Sequence, residues 1–256
     1  TTEIYTLSLH DALPISGTLH LAAGLGVPSA ALFLATAQPF DTGPYLEGCL
    51  CLEPDMPCHP CSFREACPRS HACLDVVDPE IVAAAVSAWI RDGRFGPGEY
   101  SGARAWVSVR DAEGFMDLAS LSGHDAAPRA VWLRVQRRVF RQFLDGQPHV
   151  PPPTPPPPLP DAQRLELVRL LAQSAELLRL VEGQAVLASR SQVMKNRFLA
   201  SYERVTALWS ASPHMATLGE LWRRQAQEQA PDLERLVTGI RRFGACVGAF
   251  SAALEG

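Results

Sequence analysis

The segment PHVPPPTPPPPLP, residues 148–160, restricts the fold of this chain more than any other feature, because nine of its thirteen residues are proline. Proline lacks a backbone N–H and has a fixed φ, so this segment can form neither a helix interior nor an inner strand. It favours an extended polyproline II spacer that would reach roughly 40 Å at about 3.1 Å per residue. We predict that it links two domains; a ligand for an SH3-like partner is the alternative.

Length and composition narrow the class of protein. A chain of 256 residues fits one or two domains, and 47% apolar with 20% charged residues is ordinary for a globular protein. The net charge of −4 gives no general attraction to nucleic acid. No apolar run reaches the roughly 18 residues of a membrane span. Seven cysteines, an odd number without a secretion signal, favour a reducing compartment, so we expect a cytoplasmic location.

The chain after the proline-rich segment has a helical pattern throughout. We predict an all-α bundle over 161–256, with helices at 161–183, at about 184–210, from Thr217 onward and at about 232–254. The apolar stripes of these helices indicate a core rather than a catalytic site. We hypothesise that the bundle binds a protein partner.

The chain before the proline-rich segment mixes helix and strand signals, which predicts an α/β unit over 17–100. A helix at 17–26 should end at a glycine, and the apolar run 29–34 indicates a buried parallel strand. A cysteine-rich loop follows at 49–73. The sequence Asp-Pro-Glu then predicts a capped helix over 78–92.

Residues 101–147 predict a β-hairpin followed by an amphipathic helix at 127–145. The turn of the hairpin is expected at 111–114, between two stretches with strand signals. The helix carries a basic cluster that could lie on anionic lipid and give peripheral attachment to the inner membrane. The alternative is an ordinary solvated helix face. The cluster consists of Arg134, Arg137, Arg138 and Arg141.

The opening TTEIYTLSLHDALPIS, residues 1–16, resembles a translated oligonucleotide rather than a biological segment. It can be back-translated, without a break, into a widely used sequencing adapter. A signal peptide would need a basic start and a continuous apolar run, and this segment has neither. We therefore leave residues 1–16 out of the fold prediction and expect the natural sequence to begin earlier in a longer protein.

The first helix offers a candidate site for a diphosphate. A helix N-terminus presents unpaired N–H groups and the positive end of the helix dipole. Gly17 would allow close approach of a ligand, and His20 could add a hydrogen bond or a positive charge. A capped helix with a satisfied histidine is the alternative explanation of the same residues.

The stretch SGTLHLAAGLGVPSAALF, followed by PFDTGPY, resembles glycosyltransferase family 9, the ADP-heptose:lipopolysaccharide heptosyltransferases. The resemblance covers residues 16–92, including the cysteine-rich loop and the helix that follows it. Two positions differ: Ile15 stands where the family has Asp, and Leu34-Ala35-Thr36 replaces Gly-Pro-Thr. The matching positions are Gly17, His20, Leu21, Ala22, Leu25, Gly26, Val27, Pro28, Thr42, Gly43, Pro44 and Tyr45.

The resemblance implies the C-terminal part of a Rossmann-like GT-B donor domain, followed here by the helical bundle. It implies a parent enzyme that transfers heptose from ADP-heptose to a lipopolysaccharide core acceptor, and no cofactor is required. Gly17, Thr18, His20 and Thr36 would contact the nucleotide-sugar diphosphate. No catalytic residue falls within this chain, so we expect it to be inactive. The alternative is a non-enzymatic, cysteine-rich interaction module with a helical adaptor.

Six of the seven cysteines fall between residues 49 and 73. Four of them have the spacing C-x₂-C-x₅-C-x₅-C and could hold a structural zinc ion. The spacing differs from the two C-x₂-C pairs of a zinc ribbon, so disulfides and free, redox-sensitive thiols remain open alternatives. The candidate metal ligands are Cys58, Cys61, Cys67 and Cys73.

Overall fold

The computed structural model describes residues 16–61, 66–152, 155–229 and 233–255. The adapter-like residues 1–15 lie outside the described residues, so the interpretation of that segment stays a prediction. The chain divides into two compact units, Thr1–Ala126 and Ala127–Gly256. The first combines a small sheet with helices and the second is helical, which confirms the α/β part and the following helical part at this coarse level.

A four-stranded mixed sheet forms the centre of the first unit. Its strands β1 (Ala30–Leu32), β2 (Leu50–Pro54), β3 (Ala103–Arg110) and β4 (Met116–Ser120) lie in the order β1-β2-β3-β4. β1 and β2 are parallel, whereas β2–β3 and β3–β4 are antiparallel. Every residue of β2 is buried, as expected for a strand covered on both faces. The sheet therefore combines one parallel pair with the predicted hairpin.

Helices α1 (Ser16–Gly24), α2 (Pro39–Thr42) and α3 (Pro79–Asp92) complete the first unit with a 3₁₀ turn at Ala72–Leu74. The helix predicted at 78–92 is confirmed. The carboxylate of Asp78 accepts the N–H of Glu80 at 2.9 Å, and Gly93 ends the helix with a φ of 70°. A left-handed residue is a common helix terminator, and glycine adopts that conformation without strain.

The hairpin turn is also confirmed at its predicted place. Asp111 closes it with one carboxylate oxygen, which accepts the N–H groups of Glu113 and Phe115 at 2.9 Å each. Gly114 supplies the positive φ that the turn requires. The hairpin pairs with β2 from Leu50 to Pro54 and so belongs to the sheet of the first unit.

The described residues of the second unit form five helices. They are α4 (Pro128–Leu144), α5 (Asp161–Ala188), α6 (Gln192–Ala211), α7 (Ala216–Gln229) and α8 (Leu233–Glu255). The four predicted C-terminal helices are present. The predicted end of α5 at Gly183 is wrong, because the helix continues through this glycine to Ala188. A single glycine costs a helix only about 1 kcal/mol, which packing of the flanking turns can outweigh.

Aromatic side chains fill the core of the second unit. The indole of Trp222 packs on Tyr202, with ring centroids 4.2 Å apart, and meets Phe243 edge to face at 5.1 Å. Two buried polar side chains of this core form internal hydrogen bonds, whereas Trp222 Nε1 is buried without a partner among the described residues. Trp209 Nε1 donates to Ser174 Oγ at 2.8 Å, and Tyr202 OH donates to the Trp222 carbonyl at 2.9 Å. The aromatic side chains in α6, α7 and α8 thus form one core.

Helix α4 belongs to the helical unit and not to the hairpin that precedes it. The ring centroid of Trp132 lies 5.4 Å from that of Phe250, and Phe143 lies 4.9 Å from Phe243. The predicted grouping of 101–147 is therefore divided at residue 126. The apolar face of α4 packs against α8. Periodicity of the sequence alone could not reveal which helix covers this face.

The proline-rich segment consequently lies inside the second unit and does not form the boundary that we predicted. It connects α4 to α5, which share one core. Gln142 exchanges two hydrogen bonds of 3.3 Å with the backbone of Val150, and Leu159 is buried in the core. Arg138, from the basic cluster, donates to the Val150 carbonyl at 3.2 Å. No helix among the described residues is long and apolar enough to cross a membrane.

We expect a fragment of residues 127–256 to unfold cooperatively and a fragment of 161–256 to be destabilised. Removing α4 withdraws five buried apolar side chains, each contributing about 1.5–3 kcal/mol, from a unit whose total stability is on the order of 5–15 kcal/mol. They are Val131, Trp132, Val135, Val139 and Phe143. Urea unfolding followed by circular dichroism measures the difference. Equal midpoints for the two fragments would contradict the assignment of α4.

A pair of single substitutions tests the same packing within 127–256. Trp132→Ala should lower the free energy of unfolding by about 3–5 kcal/mol, because it removes a buried indole. Leu144→Ala is the control at the end of the same helix. Its side chain is 64% exposed, so we expect a change within about 0.5 kcal/mol.

Candidate functional site

Candidate residues of the first unit lie at the edge of the sheet where β1 and β2 end. Because the two strands are parallel, the segments that follow them leave the sheet at this same edge. The two segments are joined directly, since the N–H of Cys61 donates to the carbonyl of Ala35 at 2.8 Å. β3 is antiparallel to β2 and begins here, which adds Arg104 opposite Glu53. We call this region the carboxyl edge.

The predicted diphosphate contacts lie on two elements of the first unit. Gly17, Thr18 and His20 are exposed on the first turns of α1, and Leu19 between them is buried. Only residues 25–29 connect α1 to β1. Thr36 is half-buried in the turn after β1. No hydrogen bond joins Thr36 to the first turns of α1 within the described residues.

A buried ionic network stands at the carboxyl edge, and sequence analysis did not predict it. The carboxylate of Glu53, in the central strand, is fully buried. Its Oε1 accepts hydrogen bonds from Arg104 Nε and from Trp106 Nε1, each at 3.1 Å. His59 Nδ1 lies 3.3 Å from the other oxygen. A buried carboxylate is tolerated only when it is paired and hydrogen-bonded, and this one has partners from β3 and from the cysteine-rich loop.

The histidine of this network has one nitrogen in use. His59 Nδ1 lies within reach of both Glu53 Oε2 and Arg104 Nη2, the latter at 3.2 Å. One nitrogen cannot donate to the first and accept from the second at the same moment, so the tautomer decides which contact is a hydrogen bond. His59 Nε2 is buried and has no hydrogen-bond partner among the described residues.

The network reaches solvent through a second acid and a second histidine. Arg104 Nη1 lies 3.5 Å from Asp55 Oδ1, and His124 Nε2 lies 3.7 Å from Asp55 Oδ2. Asp55 is about half exposed, so these outer contacts are weaker than the buried ones. The other ring nitrogen of His124 is 2.9 Å from Ser122 Oγ. The carboxyl edge therefore carries both signs of charge.

Two of the cysteines belong to the sheet and not to the loop. Cys49 and Cys51 are fully buried, the first immediately before β2 and the second within it. Burial raises the pKa of the Cys51 thiol, and the charges of Cys49 and Glu53 add to the shift. A thiol held in its neutral form is a poor nucleophile and a poor metal ligand. These two cysteines act as small apolar side chains.

The four candidate metal ligands follow β2. Cys58, Cys61 and Cys67 are half-buried, Cys73 is buried, and none of the four forms a disulfide among the described residues. Burial raises the pKa of the Cys61 thiol, and the charges of Cys58, Cys73 and Cys67 raise it further. Within the described residues no three side chains of His, Cys, Asp or Glu have the arrangement of a finished metal site.

Cys67 differs electrostatically from the other loop thiols. Its Sγ accepts the backbone N–H of His71 at 3.3 Å. Backbone hydrogen bonds from Arg69 and His71 lower the pKa of the Cys67 thiol, and the charge of Arg69 acts in the same direction. Amide donors favour the thiolate, which is the form that binds metals and attacks electrophiles. The loop thus contains one thiol, Cys67, whose ionisation is favoured and one, Cys61, whose ionisation is opposed.

We expect Glu53→Gln to lower the free energy of unfolding of the first unit by about 3–5 kcal/mol, because Arg104 would lose its buried counter-charge. Glu47→Gln is the matched control. Glu47 pairs with Arg110 at 3.8 Å and both side chains are more than half exposed, so a change of no more than about 1 kcal/mol is expected. Urea unfolding of both variants measures the difference. Similar losses of unfolding free energy would mean that the buried network stabilises the unit no more than the exposed ion pair does.

Comparison with protein-family models, with curated proteins and with solved structures gave no match to this chain. The candidate site is therefore characterised by its own residues and their geometry.

Proposed function

We propose that residues 16–92 are the donor-binding part of a glycosyltransferase related to family 9, with a nucleotide diphosphate sugar of the ADP-heptose type as donor. One observation carries the proposal. Helix α1 directly precedes β1, β1 is parallel to β2, and Thr36 lies in the turn that follows β1 at the carboxyl edge. Nucleotides bind at this edge of parallel sheets. The proposal includes the assignment of this sheet to a Rossmann-like GT-B donor domain.

The exposed residues suit a diphosphate. The N–H groups at Gly17 and Thr18 lie at the positive end of α1, and the exposed imidazole of His20 can donate to a phosphate oxygen. Thr36 offers a hydroxyl from the turn after β1. In the parent enzyme these groups would stabilise the charge that develops on the departing diphosphate while an acceptor hydroxyl attacks the sugar. The acceptor of the parent would be the lipopolysaccharide core.

The glycine of the Thr-Gly-Pro-Tyr segment has a structural reason to be there. A side chain at Gly43 would collide with the carbonyl of Pro39, so only glycine fits after α2. The Gly43 N–H donates to that same carbonyl at 2.9 Å and closes the short helix. This requirement supports the resemblance at that position but does not by itself identify a ligand.

The alternative function is a non-enzymatic module in which the cysteine-rich loop binds a metal and the helical unit binds a protein. The observation in its favour is that the charges of Cys58, Cys67 and Cys73 all act on the thiol of Cys61, which lies at the carboxyl edge. Zinc in the purified protein, together with no binding of ADP, would favour this alternative over the donor-binding proposal.

We expect the 256-residue chain to bind ADP weakly, with a dissociation constant in the millimolar range, or on the order of 4 kcal/mol. His20→Ala should weaken binding by about 1–2 kcal/mol if the imidazole contacts the phosphates. Leu21→Ala is the control, because this side chain is 63% exposed on the same helix and carries no polar group. Ligand-observed NMR suits this affinity range, and tight binding that is indifferent to His20 would contradict the site.

We expect no transfer of heptose from ADP-heptose by this chain. Glycosyl transfer requires donor and acceptor in one cleft, and their orientation alone can supply roughly 7–11 kcal/mol of barrier reduction. The resemblance extends only over residues 16–92 and includes no acceptor-binding part. Mass spectrometry of a lipopolysaccharide-core acceptor incubated with the chain measures the outcome, and detected turnover would show that the chain holds a complete active site.

A further inference from the structure

The charges of the chain are divided unequally between its two units. Residues 127–256 contain 17 Lys and Arg against 11 Asp and Glu, whereas residues 17–126 contain 6 against 14. The helical unit is therefore positive, although the whole chain has a net charge of −4. A positive unit in a chain of negative net charge gives one part of the molecule an attraction to anionic partners that the rest lacks.

Three cations of the helical unit lie apart from any acidic residue in the sequence, around the turn between α5 and α6. The twenty residues 183–202 contain Arg190, Lys195 and Arg197 and no Asp or Glu. All three of these side chains are exposed. None of them forms an ion pair among the described residues, so their charge is not neutralised within that part of the molecule.

The turn brings the three cations to one end of the helix pair. α5 ends at Ala188 and α6 begins at Gln192, so only three residues, among them Arg190, join two helices that pack against each other. Lys195 and Arg197 lie within about 8 Å of the start of α6, at roughly 1.5 Å per residue. Side chains on a helix lean toward its N-terminus, so both lean toward the turn. We call this end, residues 186–197, the α5–α6 tip.

Exposed valines accompany the cations at the α5–α6 tip. Val193, in the first turn of α6, is 60% exposed, and Val186, in the last turn of α5, is 51% exposed. Cations beside exposed apolar side chains are typical of protein surfaces that lie on anionic lipid. Single-stranded nucleic acid is bound instead by cations together with aromatic side chains that stack on the bases. The α5–α6 tip contains no aromatic residue, so its composition favours lipid.

We propose that the α5–α6 tip is a docking surface for an anionic lipid bilayer. Its cations contact the phosphates of the headgroups, and its valines enter the boundary between headgroups and acyl chains. Three cations give an attachment that is reversible and sensitive to salt. This surface is distinct from the basic cluster of α4, in which Arg138 bonds to the proline-rich segment. The proposal does not depend on donor binding, which concerns the other unit.

Sedimentation of the full 256-residue chain with lipid vesicles tests the surface. At low salt the chain should bind vesicles of equal parts phosphatidylglycerol and phosphatidylcholine and should not bind vesicles of phosphatidylcholine alone. The double variant Arg190→Gln/Arg197→Gln should bind the anionic vesicles about 25-fold more weakly, at about fivefold for each charge near the surface. Val193→Ser should weaken binding without any change of charge. All three side chains are exposed, so these variants should fold.

The matched control is the double variant Arg223→Gln/Arg224→Gln. It removes two cations from the same unit, but both already pair with Glu220 on α7, so binding should fall by less than about threefold. Three results would overturn the proposal. They are no binding to the anionic vesicles at low salt, equal weakening by the two double variants, and binding of a single-stranded RNA through the same residues more tightly than the vesicles, which would assign the tip to nucleic acid.

Discussion

The buried carboxylate of Glu53 is the constraint on which the first unit depends. A charge in the middle of an otherwise apolar strand must be neutralised and hydrogen-bonded without help from water. Here the partners come from the neighbouring strand and from the loop that follows Glu53's own strand. The register of β2 against β3 is thereby fixed. A shift of one residue would turn both Arg104 and Trp106 to the other face of the sheet, away from Glu53.

The same carboxylate determines what the carboxyl edge can hold. By fixing His59, it places the start of the cysteine-rich loop next to the turn after β1, where Ala35 accepts the N–H of Cys61. Thr36, a candidate diphosphate contact, and Cys61, a candidate metal ligand, therefore lie on neighbouring segments of one edge.

Sequence reasoning succeeded where the signal is local. The helix that begins after Asp78 and the turn closed by Asp111 each depend on a side chain that bonds to backbone within four residues. It failed where the partner is distant. Glu53 was visible as a charge inside an apolar run, but Arg104 lies 51 residues away and could be matched to it only once the strand register was known. The diphosphate contacts and the metal ligands stay predictions, because their proof requires a ligand.

The proline-rich segment shows how a strong local signal can support two opposite tertiary outcomes. Extended conformation was a sound inference from the prolines, but separation of two domains did not follow from it. Fixed φ angles reduce the entropy of the unfolded chain, so an ordered connection built from proline costs less free energy than a flexible one of equal length. That property is as useful within a core as between domains. Here the segment starts against Gln142 on α4 and ends with Leu159 in the core beside α5. It therefore keeps α4 close to the bundle at low entropic cost, which explains why the compact unit begins before the prolines and not after them.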